Sequence, residues 1–298
     1  MLALVAIFSC SKSDRTPLPQ FTTTQRAITN QNTAIAGATT VTVPRHVVIV
    51  WLENKGYSQI VGSNNAPYIN TLVAKGTLFT NAHGITHPSY PNYVAWFSGS
   101  TQGIKNDDCI SGTPYKGQTI YNALYNKGIT FRWYNEDLPG TGSTTCKSGY
   151  YVEKHNPTTI FSTVGTYINM PLSSIHLNDT ATFSKLPRVA CITPNLMHDM
   201  HDGSIRQGDD WVKASLSKLV DWSLKNNSIV VIYFDENDGE AGNRIPVVMI
   251  GQHIKAGYKN TAYYTHFSFA KTILNWYGAN STFTTNLANA ASISNIWK

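Results

Sequence analysis

Largely apolar runs recur along the chain: His46-Val47-Val48-Ile49-Val50-Trp51-Leu52, Ile129-Thr130-Phe131-Arg132-Trp133-Tyr134, Arg188-Val189-Ala190-Cys191-Ile192-Thr193, Ile229-Val230-Val231-Ile232-Tyr233-Phe234 and Ile245-Pro246-Val247-Val248-Met249-Ile250. Apart from Thr130 and Arg132 in the second run, they lack the polar alternation of a half-exposed strand, and so predict strands buried on both faces of a mainly parallel sheet. Thr77 to Ala82 reads as a further strand. Between the runs the period lengthens. Val212, Leu216, Leu219, Val220 and Leu224 share one face of a helix predicted over Asp209 to Asn226, and Ala66 to Lys75 and Thr119 to Lys127 are shorter helical segments. Tyr93-Val94-Ala95-Trp96-Phe97 predicts a buried helix, and a last helix follows His266. Strands alternating with helices, without an internal repeat, predict an α/β fold: a three-layer α/β/α sandwich on a mainly parallel central sheet.

The ends of the pattern differ from its body. Met1 to Cys10 is a short apolar segment, too brief to span a bilayer, and Ile7-Phe8-Ser9-Cys10 is similar to a bacterial lipobox, although the positive charge that usually opens an export signal is missing. Residues 11–43 are rich in Thr, Gln, Asn, Ser and Ala and read as a flexible tether, leaving 44–298 as one catalytic domain. The expectation is an exported protein of the bacterial cell envelope, held at the membrane through Cys10 or released. In an oxidising compartment disulfides persist. Cys109 and Cys146 lie in polar loops whereas Cys191 sits inside an apolar run, so a Cys109–Cys146 bridge and a buried free Cys191 are expected.

Composition narrows the function only a little. The content is 42% hydrophobic and 13% charged, which excludes a disordered body. A formal charge of +6 suits an anionic substrate or membrane surface, while no Lys/Arg run is dense enough for a nucleic-acid patch.

Chemistry-bearing residues gather where strands end, the edge at which such folds place their sites. The first strand delivers Glu53-Asn54, and the Ile229 run delivers Asp235-Glu236, two carboxylates leaving an apolar core where unpaired charge is costly. With the Ser89 oxygen they form an oxygen-rich set suited to a hard divalent ion, or less selectively to zinc or iron. His87-Pro88-Ser89-Tyr90-Pro91-Asn92-Tyr93 puts Ser89 at a strand-to-helix turn, where unpaired backbone N–H groups can meet a phosphate oxygen. Ser89 is equally suited to be a plain helix cap. His198, Asp199, His201 and Asp202 are too close together on one loop for all four to reach one ion, so one or two ligands are expected among them. Lys154-His155 suits phosphate oxygens, and His266 stands ahead of the last helix.

Taken in order, these motifs from His46 to about Trp276 resemble the phosphoesterase family of bacterial acid phosphatases and phospholipases C, within the alkaline phosphatase superfamily. The resemblance implies an alkaline phosphatase-like fold and a phosphoserine formed on Ser89. It implies one or two divalent ions of unspecified identity, with Glu53, Asn54, Ser89, Asp235, Glu236 and Asp202 as ligands. His155, His198, His201 and His266 would serve phosphate binding or proton transfer, and Asn92 and Lys154 would contact substrate. Two departures stand out. The long insertions and C-terminal domains of the larger phospholipases are absent, which favours a phosphomonoesterase acting on a small phosphorylated substrate, phospholipid or phosphoinositide. Asn243-Arg244 stands where many of the lipases carry an Asp-His pair, which weighs against a second ion. The alternatives are a phospholipase C or phosphodiesterase on the same fold, and a lipoprotein that binds anionic ligands without turnover.

Overall fold

The computed structural model describes residues 42–298; Cys10 and the tether lie outside the described residues. The strands are β1 (His46–Leu52), β2 (Thr77–His83), β3 (Phe131–Asn135), β4 (Lys147–Ser148), β5 (Tyr151–Val152), β6 (Asn169–Pro171), β7 (Val189–Thr193), β8 (Ser228–Phe234), β9 (Arg244–Gly251), β10 (Tyr258–Asn260) and β11 (Tyr264–Thr265). The helices are α1 (Tyr57–Ile60), α2 (Pro67–Lys75), α3 (Ser89–Ser98), α4 (Ile120–Tyr125), α5 (Ile205–Ser223), α6 (His266–Trp276) and α7 (Thr285–Asn289).

The central sheet runs β10-β2-β9-β8-β1-β7-β3-β6, with β11 extending the β2 edge, and among these only β9 runs antiparallel to its neighbours. The expected mainly parallel sheet is thus present. Every residue of β1, β7 and β8 is buried, as their unbroken apolar runs require. β1 lies at the middle, paired to β8 through Val50↔Ile232 and to β7 through Val50↔Ile192.

Local chemistry sets the helix limits. Ser204 caps α5 by accepting a hydrogen bond from the Gln207 N–H, so the helix starts ahead of the apolar pattern that betrays it. Asp209, fully buried in α5, accepts from the Tyr68 and Ile69 N–H groups at 2.9 and 2.8 Å, satisfying the first turn of α2. α3 closes at Gly99, whose φ of 70° is the left-handed conformation that glycine adopts without a side-chain clash.

Trp51 of β1 sits behind the strand ends. Its ring lies 4.7 Å from Tyr93 and from Tyr233, 5.4 Å from Trp96 and 5.9 Å from Trp133, giving one aromatic block shared by α3, β1, β3 and β8.

The Cys109–Cys146 disulfide is formed, with Cα atoms 5.6 Å apart, and Cys191 is free and buried in β7. Closing a loop of 37 residues is worth about 4 kcal/mol in the chain-entropy account. Reduction is therefore expected to lower the thermal unfolding midpoint by on the order of 10 °C. Scanning the oxidised and reduced protein checks this, and coincident midpoints would contradict it.

Candidate active site

The order β8-β1-β7 opens three strand ends side by side. Backbone pairing continues beyond them: the Asp235 N–H donates to Leu52 O at 3.2 Å, and the Glu53 N–H donates to Asp199 O at 2.7 Å. Glu53, Asp199 and Asp235 are held next to one another by the sheet itself. All three are fully buried, and Glu236 is nearly so.

Ser89 begins α3 above this group. Its Oγ lies 2.9 Å from Glu53 Oε2 and 3.1 Å from Glu236 Oε1, and having one proton it donates to one carboxylate at a time. Tyr93, one helical turn on, donates to Glu53 Oε1, and its ring stacks on His155 at 5.2 Å. His155 Nε2 lies 3.4 Å from Glu53 Oε2 and its Nδ1 lies 3.3 Å from Asp199 Oδ2. The turn before Ser89 is fixed by Asn92, whose Oδ1 accepts from the Ile85 and Thr86 N–H groups and whose Nδ2 donates to Thr86 O and Pro88 O. Asn243 braces the same turn by donating to Thr86 O at 2.9 Å. A side chain at Gly84 would strike Asn243 and Asp235 O, so the close approach of these loops requires glycine there.

The charges of this group conflict with its burial. Desolvation holds the Glu53 carboxyl well above the usual range, and the neighbouring Asp235 and Asp199 charges add to it. Burial likewise raises Asp199, pushes Asp235 up to about 6, and pushes Glu236 up to about 9 with the Asp235 charge contributing. The His155 imidazole is held well below its ordinary value by burial, then by the Lys154 and His201 charges.

Asp235 Oδ2, Asp199 Oδ2 and His155 Nε2 are buried without hydrogen-bond partners. Ligand atoms of Glu53, His155 and Asp199 lie within 4.8 Å of one another. Orphaned acceptors of this kind, clustered with carboxylates and an imidazole, fit a divalent cation, which would satisfy them and relieve the repulsion.

The remaining expected residues are placed differently. The Asn54 side chain accepts from Lys55 Nζ at 2.8 Å, and only its backbone N–H reaches Asp235, at Oδ1. Asp202 is half exposed and binds His201 Nδ1 at 2.7 Å, outside the buried group. His198 pairs with Glu136 Oε2 at 2.9 Å and lies over Trp211. His266 sits behind the cleft: its Nε2 meets Asp235 O at 2.6 Å and its Nδ1 meets the Tyr233 hydroxyl at 2.7 Å, and burial lowers it to about 4. His201 is the histidine left at the rim, with Nε2 3.2 Å from Lys154 Nζ. Three contacts are not singled out by the sequence, although Asp199 belongs to the loop from which one or two ligands are expected. Asp199 joins Glu53 and His155, His87 Nδ1 lies 2.7 Å from Glu236 Oε2, and Asp107 accepts from Lys154 Nζ at 2.7 Å. The density of the His198–Asp202 segment signalled Asp199, but only the β1–β7 pairing singles it out.

The phosphoesterase family profile matches residues 62–280. A phosphatidylinositol-3-phosphatase of Mycobacterium tuberculosis is 40% identical over 255 residues, a match that covers 85% of this chain and 82% of that protein. An acid phosphatase of Aspergillus fumigatus is 33% identical over 244 residues, covering 76% of this chain and 54% of the fungal protein, so the chain spans about half its length. The fold is also that of a protein in the alkaline phosphatase superfamily from Vibrio parahaemolyticus, with a TM-score of 0.52 at 14% identity over 79% of this chain and 66% of that one. The chain belongs to the phosphoesterase family, and hydrolysis of phosphate esters is the chemistry that this membership supports.

The raised carboxyl pKa values set a pH dependence. In the unfolded chain these groups ionise near about 4, whereas Asp235 and Glu236 in the fold are pushed up to about 6 and about 9. Between those limits the unfolded state has lost protons that the fold retains, so the metal-free protein loses stability from this cluster as pH rises from about 4 to about 9. A cation bound by the same oxygens would replace those protons, so its binding would strengthen over the same window. Unfolding midpoints with and without added divalent metal should diverge as pH rises, and a pH-independent gap would contradict the account.

Proposed function

We propose that this chain is a metal-dependent phosphomonoesterase of the acid phosphatase type, exported from the cytoplasm, that acts through a phosphoserine on Ser89. The observation that carries this reading is the Ser89 hydroxyl at a helix start, within hydrogen-bond distance of two buried carboxylates and beside orphaned ligand atoms. Glu53, His155, Asp199 and Asp235 would hold the cation, with Glu236 and Ser89 adjoining. Bound there, a divalent ion supplies Lewis-acid polarisation and lowers the pKa of a coordinated oxygen.

The chain's own residues supply the rest. Ser89 Oγ passes its proton to the carboxylate it faces, Glu53 or Glu236, and attacks phosphorus as the ester P–O bond breaks. The leaving oxygen takes a proton from Nε2 of the imidazolium form of His201, whose Nδ1 is oriented by Asp202, after Lys154 Nζ has left that nitrogen for the phosphoryl oxygens. Water then attacks the phosphoserine and yields a proton to His201, restoring it, while the P–O bond to Ser89 breaks, the carboxylate returns its proton to Ser89 Oγ and inorganic phosphate leaves. Lys154, at the rim beside His201, offers its ammonium to the phosphoryl oxygens. Phosphoinositide monophosphates are a substrate class consistent with the mycobacterial relative's name. The intact disulfide supports export, since such bridges persist in oxidising compartments.

Phosphate release from an aryl monoester should require added divalent metal. It should fall at least about a thousandfold in Ser89→Ala, and exceed release from a matched diester. Faster diester cleavage would transfer the function to a phosphodiesterase, and unchanged turnover in Ser89→Ala would overturn the nucleophile.

A further inference from the structure

Asp107 binds two donors near Ser89, each of a kind that holds phosphoryl oxygens. Its Oδ1 accepts from the Tyr90 N–H at 3.0 Å, the backbone donor directly after Ser89 in the first turn of α3. Its Oδ2 accepts from Lys154 Nζ at 2.7 Å. A carboxylate with one oxygen on a helix-start N–H and the other on a lysine reproduces the way two phosphoryl oxygens would be held. Among the described residues no other hydrogen bond or ion pair anchors this side chain, which remains 29% exposed, so its grip is that of a partly solvated ion pair. Beside it lies a cavity of about 240 Å³, lined by Asp107, Cys109, Cys146, Lys147, Glu153 and Lys154, which offers space to a displaced carboxylate.

We propose that Asp107 is an internal anion that fills the phosphate cradle of the free enzyme and is displaced when a phosphoryl group binds. The inference rests on the reading of Ser89 as the residue that attacks phosphorus. The Tyr90 N–H and the Lys154 ammonium change partners on binding, from the Asp107 carboxylate to the substrate. The Cys109–Cys146 bridge, two residues from Asp107, keeps the displaced group within reach of the cradle, so it also competes with product phosphate and hastens its release. Glu153 keeps the cradle itself in place: its Oε1 accepts from the Tyr90 hydroxyl and from Thr159 Oγ1, joining α3 to the segment that bears Lys154.

The direction of the effect separates competition from simple support. If Asp107 competes, removing its charge strengthens anion binding; if it only props Lys154 in position, removing it weakens binding. Inorganic phosphate is titrated into metal-loaded wild-type protein, Asp107→Asn and Asp107→Ala, with binding read by calorimetry and competitive inhibition read against an aryl monoester. Unfolding midpoints measured without phosphate verify that both variants are folded, and Asp107→Asn retains the shape should Asp107→Ala fail. Competition predicts a dissociation constant for phosphate about three- to tenfold lower in the variants, with KM lowered alongside it and kcat not raised. Equal or weaker phosphate binding in folded variants would overturn the displacement while leaving the phosphatase reading intact. Absence of phosphate binding from the wild type and both variants would overturn both.

Discussion

The fold brings four carboxylates to the ends of buried strands and gives them little water. Glu53, Asp199 and Asp235 are fully enclosed and Glu236 is almost so, and the effective penalty for burying such a charge is several kcal/mol per ion. Protons or a cation must offset that penalty. The raised pKa values describe the first solution, and the orphaned oxygens of Asp199 and Asp235 with the orphaned Nε2 of His155 point to the second. A serine hydroxyl placed among these groups faces a carboxyl on either side, each able to accept its proton once a cation holds that carboxyl ionised. The same arrangement that strains the metal-free fold would therefore prepare Ser89 for the nucleophilic role proposed for it.

Precision comes from the packing behind the site. Trp51 locks β1 to α3 through Tyr93, and Tyr93 in turn both donates to Glu53 and stacks on His155. His266 reaches the Asp235 carbonyl from the opposite side. Side chains of the core thus hold the reacting groups by hydrogen bonds and ring contacts, and a change at Trp51 or Tyr93 would move the site without touching substrate.

Much of this was legible in the sequence, for physical reasons. Strands buried on both faces leave continuous apolar runs, so β1, β7, β8 and β9 were visible, and polar residues directly after such runs marked Glu53 and Asp235-Glu236. The separation of loop cysteines from a core cysteine anticipated the Cys109–Cys146 bridge. Spatial neighbours were harder. Only the adjacency of β1 and β7 brings Asp199, rather than Asp202 of the same crowded loop, against Glu53, through a single backbone bond from the Glu53 N–H to Asp199 O. Short strands such as β6, β10 and β11 carry too few residues for a periodic signal. Asp107 lies in a polar loop with no pattern at all, and its place is set by the disulfide and by α3.

The central claim is that Ser89 attacks phosphorus and carries the phosphoryl group. Acid-quenching the metal-loaded enzyme during turnover of an aryl monoester, followed by mass spectrometry of its peptides, tests this directly. The account predicts that the peptide containing Ser89 gains one phosphoryl group, at that residue, and that Ser89→Ala gains none. Turnover with the Ser89 peptide unmodified, or a phosphoryl group found on a histidine instead, would contradict it.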